Sequence, residues 1–144
     1  MSNFPEHVYK SVVPSELRPW RERHGRYRLE GTKCQDCGAI DFPRRQVCIK
    51  CNSRNLVPYE AAQTGIVLSH YINDVSALPL TGYSDMGTRV PAVVRPDDGL
   101  DVLAEIIGIE PKDVKPDMKV RMVVRKLRRA ADGNWQYGYK FVPA

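Results

Sequence analysis

From Thr64 onward apolar residues recur at every second position, the period of half-buried strands. Ile66, Leu68, His70 and Ile72 share one face of the first such run, and Val67, Ser69, Tyr71 and Asn73 share the other. After a loop rich in turn formers, Val90 to Arg95 reads as a second strand. Asp97-Asp98-Gly99 then turns the chain into Leu100 to Ile107, which makes a hairpin. Ile109 to Asp117, with Pro111 and Pro116, reads as a short helical turn or loop. Between Lys119 and Leu127, Val120, Met122 and Val124 alternate with Arg121, Val123 and Arg125, so one face looks inward and the other is basic. Asp132-Gly133-Asn134 leads into a last strand whose Trp135, Tyr137, Tyr139 and Phe141 share parity, a row expected to fill a barrel interior. Five strands with a longer connection between the third and fourth match an OB-fold.

The first third of the chain lacks this period. Pro14 and Ser15 open a helix that Pro19 soon interrupts, so short helices are expected there. Trp20, Tyr27 and Leu29 are interleaved with Arg18, Arg21, Arg23, Arg26 and Arg28, either as a clamp on the body or as a docking arm. The inferred architecture is mainly β: a helical arm over residues 1–32, a zinc ribbon over 33–60, and a five-stranded OB-fold barrel over 61–144.

The ribbon rests on the cysteines. Cys34 and Cys37, then Cys48 and Cys51, form two C-x-x-C pairs, the spacing of a four-thiolate zinc site. In such loops the chain turns back on the thiolates, which favours a residue tolerant of positive φ after each pair. Gly38 and Asn52 stand there. Two disulfides are a competing reading, disfavoured in a reducing compartment. A single iron is another, and ligand softness does not separate it from zinc. Four cysteines close the coordination shell, so the metal is structural. It folds a segment, Lys33 to Tyr59, where Phe42, Val47, Ile49 and Leu56 supply only a thin core.

With 144 residues, 42% hydrophobic and 27% charged, the chain is ordinary globular material. No apolar run approaches a membrane span and no signal peptide opens the sequence, so a cytoplasmic protein is expected. The net charge of +5 divides unevenly: +4 over residues 1–60, −5 over 61–118 and +6 over 119–144. If the ends meet, they form one positive surface. Catalytic constellations are thin. His70 reads as a satisfied core or rim histidine, and Asp97, Asp98 and Asp101 as a solvated hairpin rather than an acid–base cluster. The chain alone is not expected to be an enzyme. Two classes remain: a nucleic-acid-binding zinc-ribbon/OB module, and a binding or scaffolding subunit. An inward aromatic row in the last strand speaks against the first. The basic run Lys119, Arg121, Arg125, Lys126, Arg128 and Arg129 suits either.

The segment Arg26-Tyr27-Arg28-Leu29-Glu30-Gly31-Thr32-Lys33-Cys34-Gln35-Asp36-Cys37-Gly38, followed by Phe42-Pro43-Arg44 and Val47-Cys48-Ile49-Lys50-Cys51, resembles the rubredoxin-like ribbon of the family known as domain of unknown function thirty-five. Thr64-Gly65-Ile66-Val67 and Val90-Pro91-Ala92-Val93-Val94 are similar to its OB domain. The resemblance implies a non-catalytic subunit in a hetero-oligomer with a thiolase-type or acyltransferase enzyme. Such a subunit stabilises the enzyme and helps bind the coenzyme A part of an acyl-CoA thioester. It implies one of two settings: degradation of aromatic or related compounds, or hydroxymethylglutaryl-CoA synthesis, where archaeal relatives bridge a thiolase to the synthase. Ile49 and Asn52 depart from the family's usual proline and glycine without touching a ligand. In the loop from Ser76 to Arg89, Gly82, Tyr83, Ser84, Gly87, Thr88 and Arg89 form a flexible, polar segment with one cation, and long barrel loops often bind ligands. Tyr83, Arg89 and Lys126 are the candidate acyl-CoA or partner contacts.

Overall fold

The computed structural model describes residues 20–73, 87–129 and 135–144. The expected helix start at Ser15, the turn at Asp132-Gly133-Asn134 and most of the Ser76–Arg89 loop, Tyr83 included, lie outside the described residues.

A six-residue helix, α1 (Arg23–Arg28), ends at Leu29, which takes a left-handed φ of 54° while its N–H donates to the Gly25 carbonyl. The side chain of Leu29 is fully buried, in the same apolar cluster as the barrel core. The chain then enters a three-stranded antiparallel sheet of order β2-β1-β3, with β1 at Glu30–Cys34, β2 at Ile40–Asp41 and β3 at Leu56–Glu60. The crossing is tight at Gly31, where a Cβ would stand 2.2 Å from the Asp41 carbonyl oxygen.

Five further strands close into a barrel of order β4-β5-β6-β8-β7. They are β4 (Thr64–His70), β5 (Val90–Pro96), β6 (Val102–Ile106), β7 (Lys119–Arg129) and β8 (Trp135–Pro143), with a single 3₁₀ turn, Pro111–Asp113, between β6 and β7. Two seams close the barrel: antiparallel β4–β7 over Thr64–Ile66, and parallel β6–β8 through Ile106 and Phe141. Val67, Val94, Val102, Val120 and Phe141 fill the interior, and Val114 plugs it from the 3₁₀ turn. Each is worth about 1.5–3 kcal/mol of transfer free energy. The barrel and basic β7 face match the sequence expectation: Val120 is buried and Met122 packs on the core, while Arg121 and Arg125 are exposed.

Two expectations need correction. The face of β4 read from Ile66, Leu68 and His70 is not the buried one: Gly65 and Val67 are buried from the start of the strand, while Ile66 and Leu68 are only half-buried. A bulge between Val67 and Ser69 then shifts the register against β5, and Tyr71 and Ile72, beyond the strand, are exposed. The aromatic row of β8 also does not lie wholly inside. β7 and β8 outrun the barrel: past Arg121 and before Phe141 they pair only with each other among the described residues. Phe141, opposite Met122, is enclosed, whereas Tyr139 meets Phe42 of the ribbon edge-on at 5.7 Å and Tyr137 is 43% exposed. The Lys126 Nζ sits 4.6 Å from the Trp135 ring centroid. Gln136 and Lys140, of opposite parity, are buried instead. Among the described residues no helix is long and apolar enough to cross a membrane.

Candidate metal centre and adjoining cleft

Each C-x-x-C pair is folded by the same two backbone bonds. Gly38 N–H donates to the Cys34 carbonyl (3.0 Å) and Cys34 N–H to Ala39 (2.8 Å); in the second pair Asn52 N–H donates to Cys48 (3.0 Å) and Cys48 N–H to Ser53 (2.9 Å). Gly38 at φ 71° and Asn52 at φ 58° take the left-handed conformation the spacing requires. Asp36 ties the two loops together by accepting from the Ser53 hydroxyl and from Asn55 Nδ2 at 2.9 Å, which holds its carboxyl below the usual carboxylate range.

The four Sγ atoms lie within 4.8 Å of one another, with Cys34–Cys51 and Cys37–Cys48 both at 3.6 Å. A disulfide would require about 2.05 Å, so none is formed. A tetrahedral ion with sulfurs at about 2.3 Å has S···S edges of about 3.8 Å, and the thiols fit it. The Cys37 N–H and other local groups lower the Cys34 thiol to about 7. Although the Ser53 N–H pulls Cys51 down, the Cys37 thiol, burial and the other thiols push it up to about 12. So crowded a set ionises together only around a cation, which is what a zinc ion supplies. With all four ligands from the protein, the site is closed to substrate. Its apolar support is thinner than the sequence suggests: Phe42 and Leu56 are partly buried, but Val47 and Ile49 are 39% and 67% exposed.

Beside the ribbon, α1, the Phe42–Gln46 segment and the barrel enclose a cleft of about 970 Å³. Arg21, Arg26, Arg44, Arg45, Arg54 and Arg89 line it, with Phe42, Leu103, Leu127 and Tyr139 as its apolar patches. Arg26 pairs with Glu22 at 2.7 Å, Arg44 with Glu30 at 3.6 Å, and Arg89 bidentately with Glu105 at 3.1–3.2 Å. Arg21, Arg45 and Arg54 have no carboxylate partner among the described residues, so the cleft is net positive. Glu105 also accepts from Lys140 Nζ at 2.9 Å, and that lysine is only 3% exposed. Burial raises the Glu105 carboxyl, but the bonds from Arg89 and Lys140 outweigh it and the net shift is downward.

Residues 22–57 match the sequence model of the ChsH2 rubredoxin-like zinc ribbon domain, and residues 59–125 that of the ChsH2 C-terminal OB-fold domain. A protein of Pyrococcus furiosus named DUF35 domain-containing scaffold protein is 37% identical over 127 residues, covering 88% of this chain and 90% of the relative. The chain belongs to the DUF35 family. A second DUF35 relative of the same name, from Methanothermobacter thermautotrophicus, is 32% identical over 92% of this chain and 98% of its own length. A solved structure described as an Ltp2-ChsH2(DUF35) aldolase shares the fold, with a TM-score of 0.65 at 21% identity over 99% of this chain and 96% of that one. The DUF35 resemblance, the mainly β fold and a ribbon whose Cys34, Cys37, Cys48 and Cys51 are positioned to hold zinc therefore stand.

The other candidate residues of this DUF35 chain are dispersed. Arg89 lines the cleft, whereas Lys126 is stacked on Trp135 and is not among the cleft's lining residues. The aspartates of the β5–β6 turn are structural: Asp97 accepts from the Thr64 hydroxyl, Asp98 from Ala62 N–H at 2.8 Å and Tyr59 OH at 3.2 Å, and Asp101 pairs with Arg95. His70, expected to be satisfied, is half-buried with its Nδ1 lacking a hydrogen-bond partner among the described residues. The sequence marks Arg21 only as part of the basic arm, and Arg45 and Arg54 escape a sequence reading; the +4 of residues 1–60 announces cations there, but not which of them converge.

Proposed function

We propose that this chain is a non-catalytic, zinc-stabilised subunit that docks on a thiolase-type enzyme and helps hold the coenzyme A portion of an acyl-CoA thioester. The observation that carries this reading is the cleft, whose lining combines Arg21, Arg45 and Arg54, without carboxylate partners among the described residues, with the apolar Leu103 and Tyr139. Coenzyme A has a diphosphate and a 3′-phosphate at one end and an uncharged thioester arm at the other. Guanidinium groups suit the first, and an apolar wall suits the second. The scaffold name of the archaeal relatives supports a partner-subunit role. The aldolase assembly of the similarly folded chain widens the partners to be sought to other enzymes that form or cleave carbon–carbon bonds. Two settings agree with the resemblance: degradation of aromatic or related compounds, and hydroxymethylglutaryl-CoA synthesis.

The test is a nuclease-treated affinity purification from the native host, with retained proteins identified by mass spectrometry. A thiolase-type subunit in fixed ratio is the expected result. A second reading is favoured by one observation: the arm of β7 and β8 carries the exposed Tyr137 and the Lys126–Trp135 stack outside the barrel, an arrangement that suits single-stranded nucleic acid. Retained RNA or DNA without an enzyme subunit would favour it and displace the first.

A further inference from the structure

The metal centre and the cleft share one piece of chain. Between Asp41 and Leu56 there is neither helix nor strand, and from residue 43 to 55 the only buried residue is Cys48. Arg45 stands three residues before Cys48 and Arg54 three residues after Cys51, so each is within about 10 Å of chain from a metal ligand. Their anchors belong to the same assembly. Arg45 N–H donates to the Thr32 hydroxyl at 3.4 Å in β1, the strand that ends on Cys34. Arg54 is flanked by Ser53 and Asn55, both bonded to Asp36 between the first two cysteines. Both arginines are exposed, both line the cleft, and neither has a carboxylate partner among the described residues. The barrel wall is held differently: the Glu105–Lys140 pair and the strands themselves fix Arg89 and Leu103 without the metal.

Building on the acyl-CoA reading above, we propose that metal and ligand are thermodynamically coupled in this protein. Metal binding at the ribbon sets Arg45 and Arg54 on the cleft wall as phosphate ligands. The metal-free protein keeps the apolar wall and loses the cationic one. Coupling of this kind is reciprocal, so a polyphosphate ligand that favours the metal-loaded ribbon also tightens metal binding at equilibrium, by the same factor.

The probe is coenzyme A itself, titrated calorimetrically into three forms of the full chain: zinc-loaded, metal-free, and a zinc-loaded Arg45→Ala/Arg54→Ala variant. The extent of zinc transfer to a coloured chelator at equilibrium is then measured with and without saturating coenzyme A. Cobalt substitution, whose thiolate absorption reports an intact four-sulfur site, shows that the double variant keeps its ribbon. The expected result is affinity at least tenfold weaker in both altered forms, and equilibrium zinc transfer reduced by coenzyme A in the unsubstituted protein but not in the double variant. If the zinc-loaded protein binds coenzyme A and the double variant binds it equally well, the coupling is overturned while the acyl-CoA reading stands. Unchanged zinc transfer in the presence of bound coenzyme A overturns it too. If the zinc-loaded protein binds no coenzyme A, the acyl-CoA reading itself falls, and the coupling with it.

Discussion

Glu105 holds two cations in a place where water is scarce: Arg89 on one side and the buried Lys140 on the other. Replacing it by Gln leaves Lys140 without its counter-charge at 3% exposure, and a stability loss of about 3 kcal/mol is expected in denaturant titrations. The pH dependence has a defined sign. The folded carboxyl sits below its usual value, so its contribution is complete above the unfolded value near 4.3 and is lost as pH falls through the lower folded one. Stability of the unsubstituted protein should therefore decline on acidification through that window, and Glu105→Gln should lack this part of the decline. At this scale the sequence is uneven as a guide. The four cysteines are legible because metal chemistry dictates their spacing, and Gly38 and Asn52 because the loops dictate their φ. Arg45 and Arg54 are not, since nothing local distinguishes a cation facing a cleft from one facing water. Only the fold of the ribbon beside the barrel does.

Among elements, the ribbon loops and the β7–β8 hairpin set the behaviour. With Val47 and Ile49 exposed, the loops have little apolar support, and Cys48→Ser should unfold the ribbon by opening the zinc shell. Metal analysis and circular dichroism check this. Lost zinc with retained barrel signal is the expected outcome, and full zinc occupancy in a folded variant would refute it. The strands of the barrel were within reach of a period-two reading, since alternation follows from the pleat. The bulge in β4 was not, because one extra residue leaves no compositional mark. The aromatic row of β8 misled for a different reason: parity fixes which side chains share a face, but not how far a strand runs past its neighbours. Tyr137 shares its face with Phe141, yet among the described residues no strand beyond β7 remains to cover it.

For the whole molecule, the two basic ends of the sequence do meet. α1 packs on β8, and Phe42 of the ribbon meets Tyr139 of the barrel. The cations that line the cleft, however, come from residues 21–54 and from Arg89, while residues 119–144 give it only Leu127 and Tyr139. Ribbon and barrel are further joined by Asp98, which accepts from Ala62 N–H and Tyr59 OH, and by Leu29, whose side chain enters the common core. Leu29→Ala should cost about 2–5 kcal/mol and, because both units lean on that side chain, should hasten zinc release as well as barrel unfolding. An unchanged zinc-release rate would show that the two units are energetically separate.

That buried leucine also decides how the cleft meets a guest. A ribbon hung on a free tether would swing, and its opening would adapt to whatever entered. Bolted through Leu29, the two walls keep a set spacing, like the jaws of a caliper locked by its thumbscrew. A molecule that fits between such jaws is gripped without the cost of closing them.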